Sequence, residues 1–190
     1  YQYIGIKENL SKKNQNNSYK KLRIKNADFY HDENIEVKYS EDQNNLDVYQ
    51  KTPLARAYFI NGGLNKININ FIGLKVNEFY KIQSSSINDY GLTGCLSFIN
   101  IKFENVKIKG SNGACEDTIN LINSSGEIKG IEITEAYSDA LDLDFSKINI
   151  NDVYINNSKN DCADFSFGNY DINKFDLSNC GDKALSVGER

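Results

Sequence analysis

Three aspartates lie close together in the lines DALDLDFS and DCADFSF: Asp142, Asp144 and Asp164. Carboxylates grouped this way support three kinds of chemistry. They accept hydrogen bonds from sugar hydroxyls, they coordinate a hard cation such as Ca2+, and in pairs they cleave glycosidic bonds. Two such charges ~5 Å apart in water repel by about 1 kcal/mol, and by several-fold more when partly buried. Something must offset that repulsion, and Lys147, Lys183 and Ca2+ are the candidates. Lys147 and Lys183 are also candidate bases for a lyase. A second set, Asp117, Asp139, Asp161 and Asp182, recurs at spacings of 22, 22 and 21 residues. A short carboxylate that opens a strand accepts backbone N–H bonds and fixes the turn. This column therefore reads as a structural ladder.

The elements that must position these residues follow from the same spacing. Apolar columns run through Ile119, Leu141, Ala163 and Ala184, and through Leu121, Leu143 and Phe165. Others run through Ile128, Ile150 and Ile172, through Ile131, Val153 and Phe175, and through Ile133, Ile155 and Leu177. A fixed period near 22 means a stacked repeat whose units bury their cores against one another. Within a unit, Leu141, Leu143 and Phe145 alternate with Asp142 and Asp144, which is the strand period. The outward column holds Asn120, Asp142 and Asp164 and ends at Leu185. Its neighbour holds Ile122, Asp144, Ser166 and Val187. The expected fold is all-β, a parallel β-helix with coils of about 22 residues, right-handed by the general crossover rule. The runner-up is a leucine-rich repeat, because Ile172, Phe175, Leu177 and Cys180 match its spacing. The apolar residue that motif needs next is Asp182 instead.

Residues 59–190 are expected to be coils and residues 1–58 an irregular N-terminal cap with a few strands. Strand-like pieces occur at KLRI (21–24) and NIEVKYS (34–40), and EDQNNLD (41–47) reads as a loop. Phe71, Leu74 and Val76 repeat the pattern of Phe103, Val106 and Ile108, with loops bulging at 87–91 and 110–115. The same pattern at Leu64, Ile67 and Ile69 is set aside as chance. The chain has no Met, even at position 1, and its final repeat stops part-way. It is therefore expected to belong to a longer protein that supplies further contacts.

Composition narrows the partners. A net charge of −4 without a basic stripe argues against a nucleic-acid backbone. No apolar run approaches the roughly 18–20 residues of a membrane span. The only histidine is His31 and no C-x-x-C occurs, so a zinc site is not expected. Cys115 and Cys180 share a column three coils apart. At about 4.8 Å per coil that is roughly 14 Å, too far for a disulfide, and buried free thiols are expected at Cys95, Cys115, Cys162 and Cys180. Tyr137, Tyr154 and Tyr170 fall outside the inward columns, where rings stack on sugars or cover an apolar rim. Asn157 and Asn179 share a column, with Glu135 one coil earlier, and stacked Asn side chains are expected to hydrogen-bond along a parallel stack.

The segments GLTGCLSF, EDTINLI, SDALDLDFS and GDKALSVGE resemble the right-handed β-helix region of CotH-type bacterial proteins. The parent group is the pectate-lyase-like β-helices, and the resemblance covers roughly residues 60–190. It implies a module at a bacterial surface or outside the cell that binds or acts on polysaccharide. The kinase-like domain of CotH-type proteins has no counterpart here. The G-H-G segment of polygalacturonase-like hydrolases is also missing, and the one R-x-K, Arg23 to Lys25, lies outside the clear coils. A binding or structural module is therefore expected. A lyase or hydrolase using Asp142, Asp144 and Asp164 is the alternative, and a leucine-rich protein-binding module the second.

Overall fold

The computed structural model describes residues 19–76 and 91–188, which form fourteen strands and no helix. Two parallel stacks organise them. The first runs through β7 (Gly94–Ser111), β8 (Asp117–Ile122), β10 (Asp139–Asp144), β12 (Ala163–Ser166) and β14 (Leu185–Val187). The second runs from the later part of β7 through β9 (Ser125–Ala136), β11 (Lys147–Ser158) and β13 (Asn169–Cys180). The result is a β-solenoid of about six turns, with parallel coils of about 22 residues. Leu141 lies opposite Ile119 and Ala163, and Ile150 opposite Ile128 and Ile172, so the apolar columns fill one continuous core. The absence of any helix among the described residues removes the leucine-rich reading. No described helix is long and apolar enough to cross a membrane.

The corners explain the asparagines. Asn61, Asn100 and Asn123 sit at one corner with φ of 56°, 56° and 46°, and Asn112, Asn157 and Asn179 sit at another with φ of 53°, 68° and 55°. Asparagine tolerates this left-handed region better than most residues, because its short side chain bonds locally. The side chains also bond along the stack: Asn100 donates to Asn61 at 3.1 Å and Asn123 donates to Asn100. Phe145 and Phe167 continue the first corner with φ of 49° and 42°. Strict alternation placed Phe145 inside with Leu141 and Leu143. The left-handed corner breaks the alternation and turns its ring outward, 48% exposed.

The early coils differ from the sequence expectation by their register. β5 (Ala57–Asn65) and β6 (Asn68–Ile72) pair in parallel with β7, placing Leu64 opposite Phe103 and Ile69 opposite Ile108. Phe71 lies opposite Gly110. The true counterparts of Phe103, Val106 and Ile108 are thus Leu64, Ile67 and Ile69, not Phe71, Leu74 and Val76. The two matches are indistinguishable as patterns; the Asn61–Asn100 corner decides between them. At that corner Gly62 has φ of 110°, and a side chain there would meet the Asn26 carbonyl.

Before these coils, β1 (Lys20–Ile24) pairs antiparallel with β2 (Ala27–His31), and β2 pairs antiparallel with β5. β3 (Ile35–Ser40) pairs antiparallel with β4 (Asn45–Gln50), which lies parallel to β6. β4 begins inside the expected 41–47 loop. Its Leu46 and Val48 are buried, while Asn45 and Asp47 both accept from the Asn70 amide. The polar composition of the segment hides a strand whose alternate residues face the core.

The cysteines also correct the expectation: Cys95–Cys115 and Cys162–Cys180 are disulfides. The column argument compared residues whole coils apart. Spacings of 20 and 18 residues fall just short of one coil, so the chain returns beside its starting point with Cα separations of 5.4 and 5.3 Å. Gln50 locks the first bridge. Its amide donates to Ala55 O, Cys95 Sγ and Cys115 Sγ, and its carbonyl accepts from Leu74 N and Ala114 N.

Candidate functional site

The outward face of β8, β10 and β12 gathers the three aspartates. Asp142 lies opposite Asn120 on one side and Asp164 on the other, and Asp144 lies opposite Ile122 and Ser166. Asn120 Nδ2 donates to Asp142 Oδ2 at 2.7 Å. Asp142 and Asp144 lie two residues apart on the same face of β10, close enough for each to shift the other. Burial is the main reason that Asp142 is pushed up to about 9, and the charges of Asp117, Asp144 and Asp164 add to it. Burial also raises Asp144, opposed by hydrogen bonds from Asp142 and Asn120.

The ladder aspartates belong to the same face. Gly94 lies opposite Asp117, and a side chain at Gly94 would run within 2.7 Å of Ser97 Oγ and 2.8 Å of Asn120 Cβ. Asp139 accepts from Asp161 N at 2.8 Å and from Asn160 Nδ2 at 2.7 Å. Asp161 accepts from Lys183 N at 2.9 Å. Asp117 is buried deeper; burial above all, together with Glu116, Asp139 and Asp144, pushes it up to about 8 against a hydrogen bond from Thr93. The next rung after Asp161 is Lys183, so Asp182 is not the fourth rung. In the final coil Leu185, Ser186 and Val187 lie opposite Ala163, Asp164 and Phe165. This keeps the period at 22 and moves Leu185 and Val187 out of the columns read from sequence. The apparent spacing of 21 came from choosing Asp182, an identical residue one position early.

The two candidate lysines sit apart from the trio. Lys183 Nζ is 3.1 Å from Asp182 Oδ2 and 3.6 Å from Asp161 Oδ2, and these contacts raise its pKa. A lysine held in its protonated form is a poor base. Lys147 opens β11 opposite Ser125 and Asn169. Among the described residues no ion pair reaches Asp142, Asp144 or Asp164. Nor do three His, Cys, Asp or Glu side chains converge there as a ready metal cage.

Aromatic residues flank the acids. Phe145 and Phe167 stack with their centroids 5.2 Å apart and planes 2° from parallel, both about half exposed. Phe167 also borders a cleft of about 920 Å3 at the last coil, with Phe165, Tyr170, Phe175, Leu185 and Val187. Sequence alternation missed this pair, although their places in the Asn100–Asn123 column signal a corner. Of the three tyrosines, Tyr170 is structural. Its hydroxyl lies 2.9 and 3.0 Å from the carbonyl oxygens of Leu143 and Ser166, and its ring packs against Phe165. Burial pushes its pKa up to about 12. Tyr137 lies under the Lys159 ammonium at 4.8 Å, and Tyr154 is 38% exposed.

No protein-family model matches the chain, and no curated protein or solved structure is detectably similar to it.

Proposed function

We propose that this β-solenoid is a binding module that presents the face of Asp142, Asp144 and Asp164 to a polysaccharide. The observation that carries this reading is the acidic row ending at an exposed aromatic step. On β10 and β12 the acids lead directly into the stacked Phe145 and Phe167. Carboxyl groups accept from sugar hydroxyls, and an apolar ring suits the C–H face of a pyranose. The two disulfides fit a compartment outside the cytosol. They agree with the bacterial surface or extracellular setting that the CotH-type, pectate-lyase-like resemblance implies. In this reading residues 1–58 cap the stack, residues 59–190 form coils of right-handed crossover, and Asp139 and Asp161 hold the turns.

Binding is favoured over cleavage for a geometric reason. Glycosidases place two carboxyl groups on opposite sides of the scissile bond, about 5 Å or more apart. Asp142, Asp144 and Asp164 all project from the one outward sheet face of β10 and β12, so none lies across a cleft from another. The test is retention of the chain on immobilised neutral and acidic polysaccharides, with release of new chain ends followed in the same samples. Retention lost in Asp164→Asn and in Phe167→Ala, without new ends, is the expected result. New ends that vanish in Asp142→Asn would make the chain a hydrolase or lyase. Retention unchanged in both first variants would move the ligand elsewhere.

A further inference from the structure

Both ends of the stack are open strand edges. One path of paired strands runs β1-β2-β5-β7-β8-β10-β12-β14, and the other runs β3-β4-β6-β7-β9-β11-β13. Among the described strands, β1 and β3 form one end, the head, and β14 and β13 form the other, the tail. β1 is antiparallel to β2, β2 is antiparallel to β5, and every later pairing of the first path is parallel. β1 therefore points the same way as β14. One core column passes along this path from Leu22 on β1, through Phe59 and Leu121, to Val187 on β14. Its inner members are buried, whereas Leu22 is 40% and Val187 69% exposed. A repeat stack needs a polar outer face at its ends to stand alone, and an open apolar edge is a template for another strand.

The two paths differ in length, with eight strands in the first and seven in the second. Setting β1 of a second copy beside β14 continues the first path without a break. The second path then has room for one more strand, between β13 and the incoming β3. The tail cleft of about 920 Å3 opens at that place, lined by Phe165, Ile172, Phe175 and Val187 among others. The sequence holds a segment of the required pattern. Successive rungs of the second path carry Ile150, Val153 and Ile155, then Ile172, Phe175 and Leu177. Tyr1, Ile4 and Ile6, which lie outside the described residues, repeat that spacing. In the same register Glu8 falls into the corner column of Glu135, Asn157 and Asn179. Charge agrees with this seating. Lys21, half exposed beside Asp28, continues the outward column of Asp142, Asp164 and Ser186, so a cation arrives at its acidic end.

We propose that the chain assembles head to tail with copies of itself, β1 of one copy pairing in parallel with β14 of another while residues 1–6 supply the missing rung against β13. The backbone groups of both open edges are then paired, the mode by which an added strand gains affinity. Leu22 covers Val187, and Ile4 and Ile6 cover Phe175 and Leu177. Head and tail are different surfaces, so the contact is heterologous and each added copy presents a new tail. The product is an open filament of continuous β-solenoid. This inference does not rest on the polysaccharide reading.

The test is sedimentation velocity of the whole chain from micromolar to near-millimolar concentration. The wild type should form a series of species that grows past the dimer as concentration rises. Val187→Asp disables the tail and Leu22→Asp the head, both at exposed positions, and each variant alone should stay monomeric. Their equimolar mixture should give a dimer and nothing larger, because one variant keeps its head and the other its tail. A peptide of residues 1–6, in molar excess, should weaken wild-type association by about tenfold or more. The same peptide carrying Ile4→Asp and Ile6→Asp should not. Circular dichroism checks that both variants fold, and the peptide arm decides alone if either does not. A wild type that stays monomeric throughout overturns the proposal. So does association that survives Leu22→Asp but not Val187→Asp, which would mean two tails meeting, or a mixture no larger than its components. No glycan enters these experiments, so their outcome is separate from polysaccharide retention.

Discussion

Lys183 sits one coil above Asp161, and its backbone N–H donates to the Asp161 carboxylate at 2.9 Å. The N–H of Asp161 does the same to Asp139 at 2.8 Å. Each carboxylate thus ties the start of the next coil. Asp161→Ala leaves the Lys183 N–H without this acceptor and should cost about 1–2 kcal/mol, the range for loss of a capping carboxylate. Asp182→Ala, at an exposed position off the ladder, should change stability by less than about 0.5 kcal/mol. Urea unfolding of both variants checks the contrast, and equal losses would restore Asp182 to the ladder.

The buried acids give the fold a definite pH dependence. Asp117 and Asp142 are raised to about 8 and about 9, far above the roughly 4 of an unfolded aspartate. Glu116, Asp139 and Asp144 shift in the same direction. Between those limits the folded chain holds more protons than the unfolded one, so stability declines as pH rises. Their contribution is complete below about pH 4 and gone once pH passes the folded values. Tm measured in chelator from pH 5 to pH 10 should fall steadily, and Asp142→Asn should flatten the fall. A Tm that rises over this interval would contradict the burial of these groups.

Gln50 is the polar hub of the early coils. Replacing it with Leu removes the acceptor for Leu74 N and Ala114 N, and the donor to Ala55 O. Each buried group left unpaired costs about 1–3 kcal/mol, and Leu74 is only partly buried, so a total of about 2–4 kcal/mol is expected. Urea unfolding of Gln50→Leu measures it. A loss below about 1 kcal/mol would mean that the surrounding backbone finds other partners.

The disulfides close loops of 20 and 18 residues. Chain-entropy arguments assign about 3 kcal/mol to a loop of this length. Reduction should therefore lower the urea midpoint, and Cys162→Ser paired with Cys180→Ser should reproduce part of the fall. The double variant matching the oxidised wild type would show that the stack alone holds its last coils.

The stacked pair at the solvent corner should behave as a surface feature. Phe167→Ala removes a half-exposed ring whose stacking is worth about 0.5–1.5 kcal/mol. Stability should fall by no more than that while polysaccharide retention is lost. A larger fall, read by urea unfolding, would assign the stack to the fold.

The sequence by itself determined the stack. Hydrophobic columns at a period near 22 leave one way to bury Ile128, Ile150 and Ile172 together, and the same period sets Asp142 beside Asp164. What it left open depended on the corners. Whether Leu64 or Phe71 meets the β7 column, and whether Phe145 faces in or out, turns on single left-handed residues that patterns of period two do not register. The disulfides arise from a path that nearly closes on itself in 18–20 residues, a relation that column counting misses. The union of ladder and patch on one face required the tertiary structure, because the burial that raises Asp117 and Asp142 is not legible in residue type.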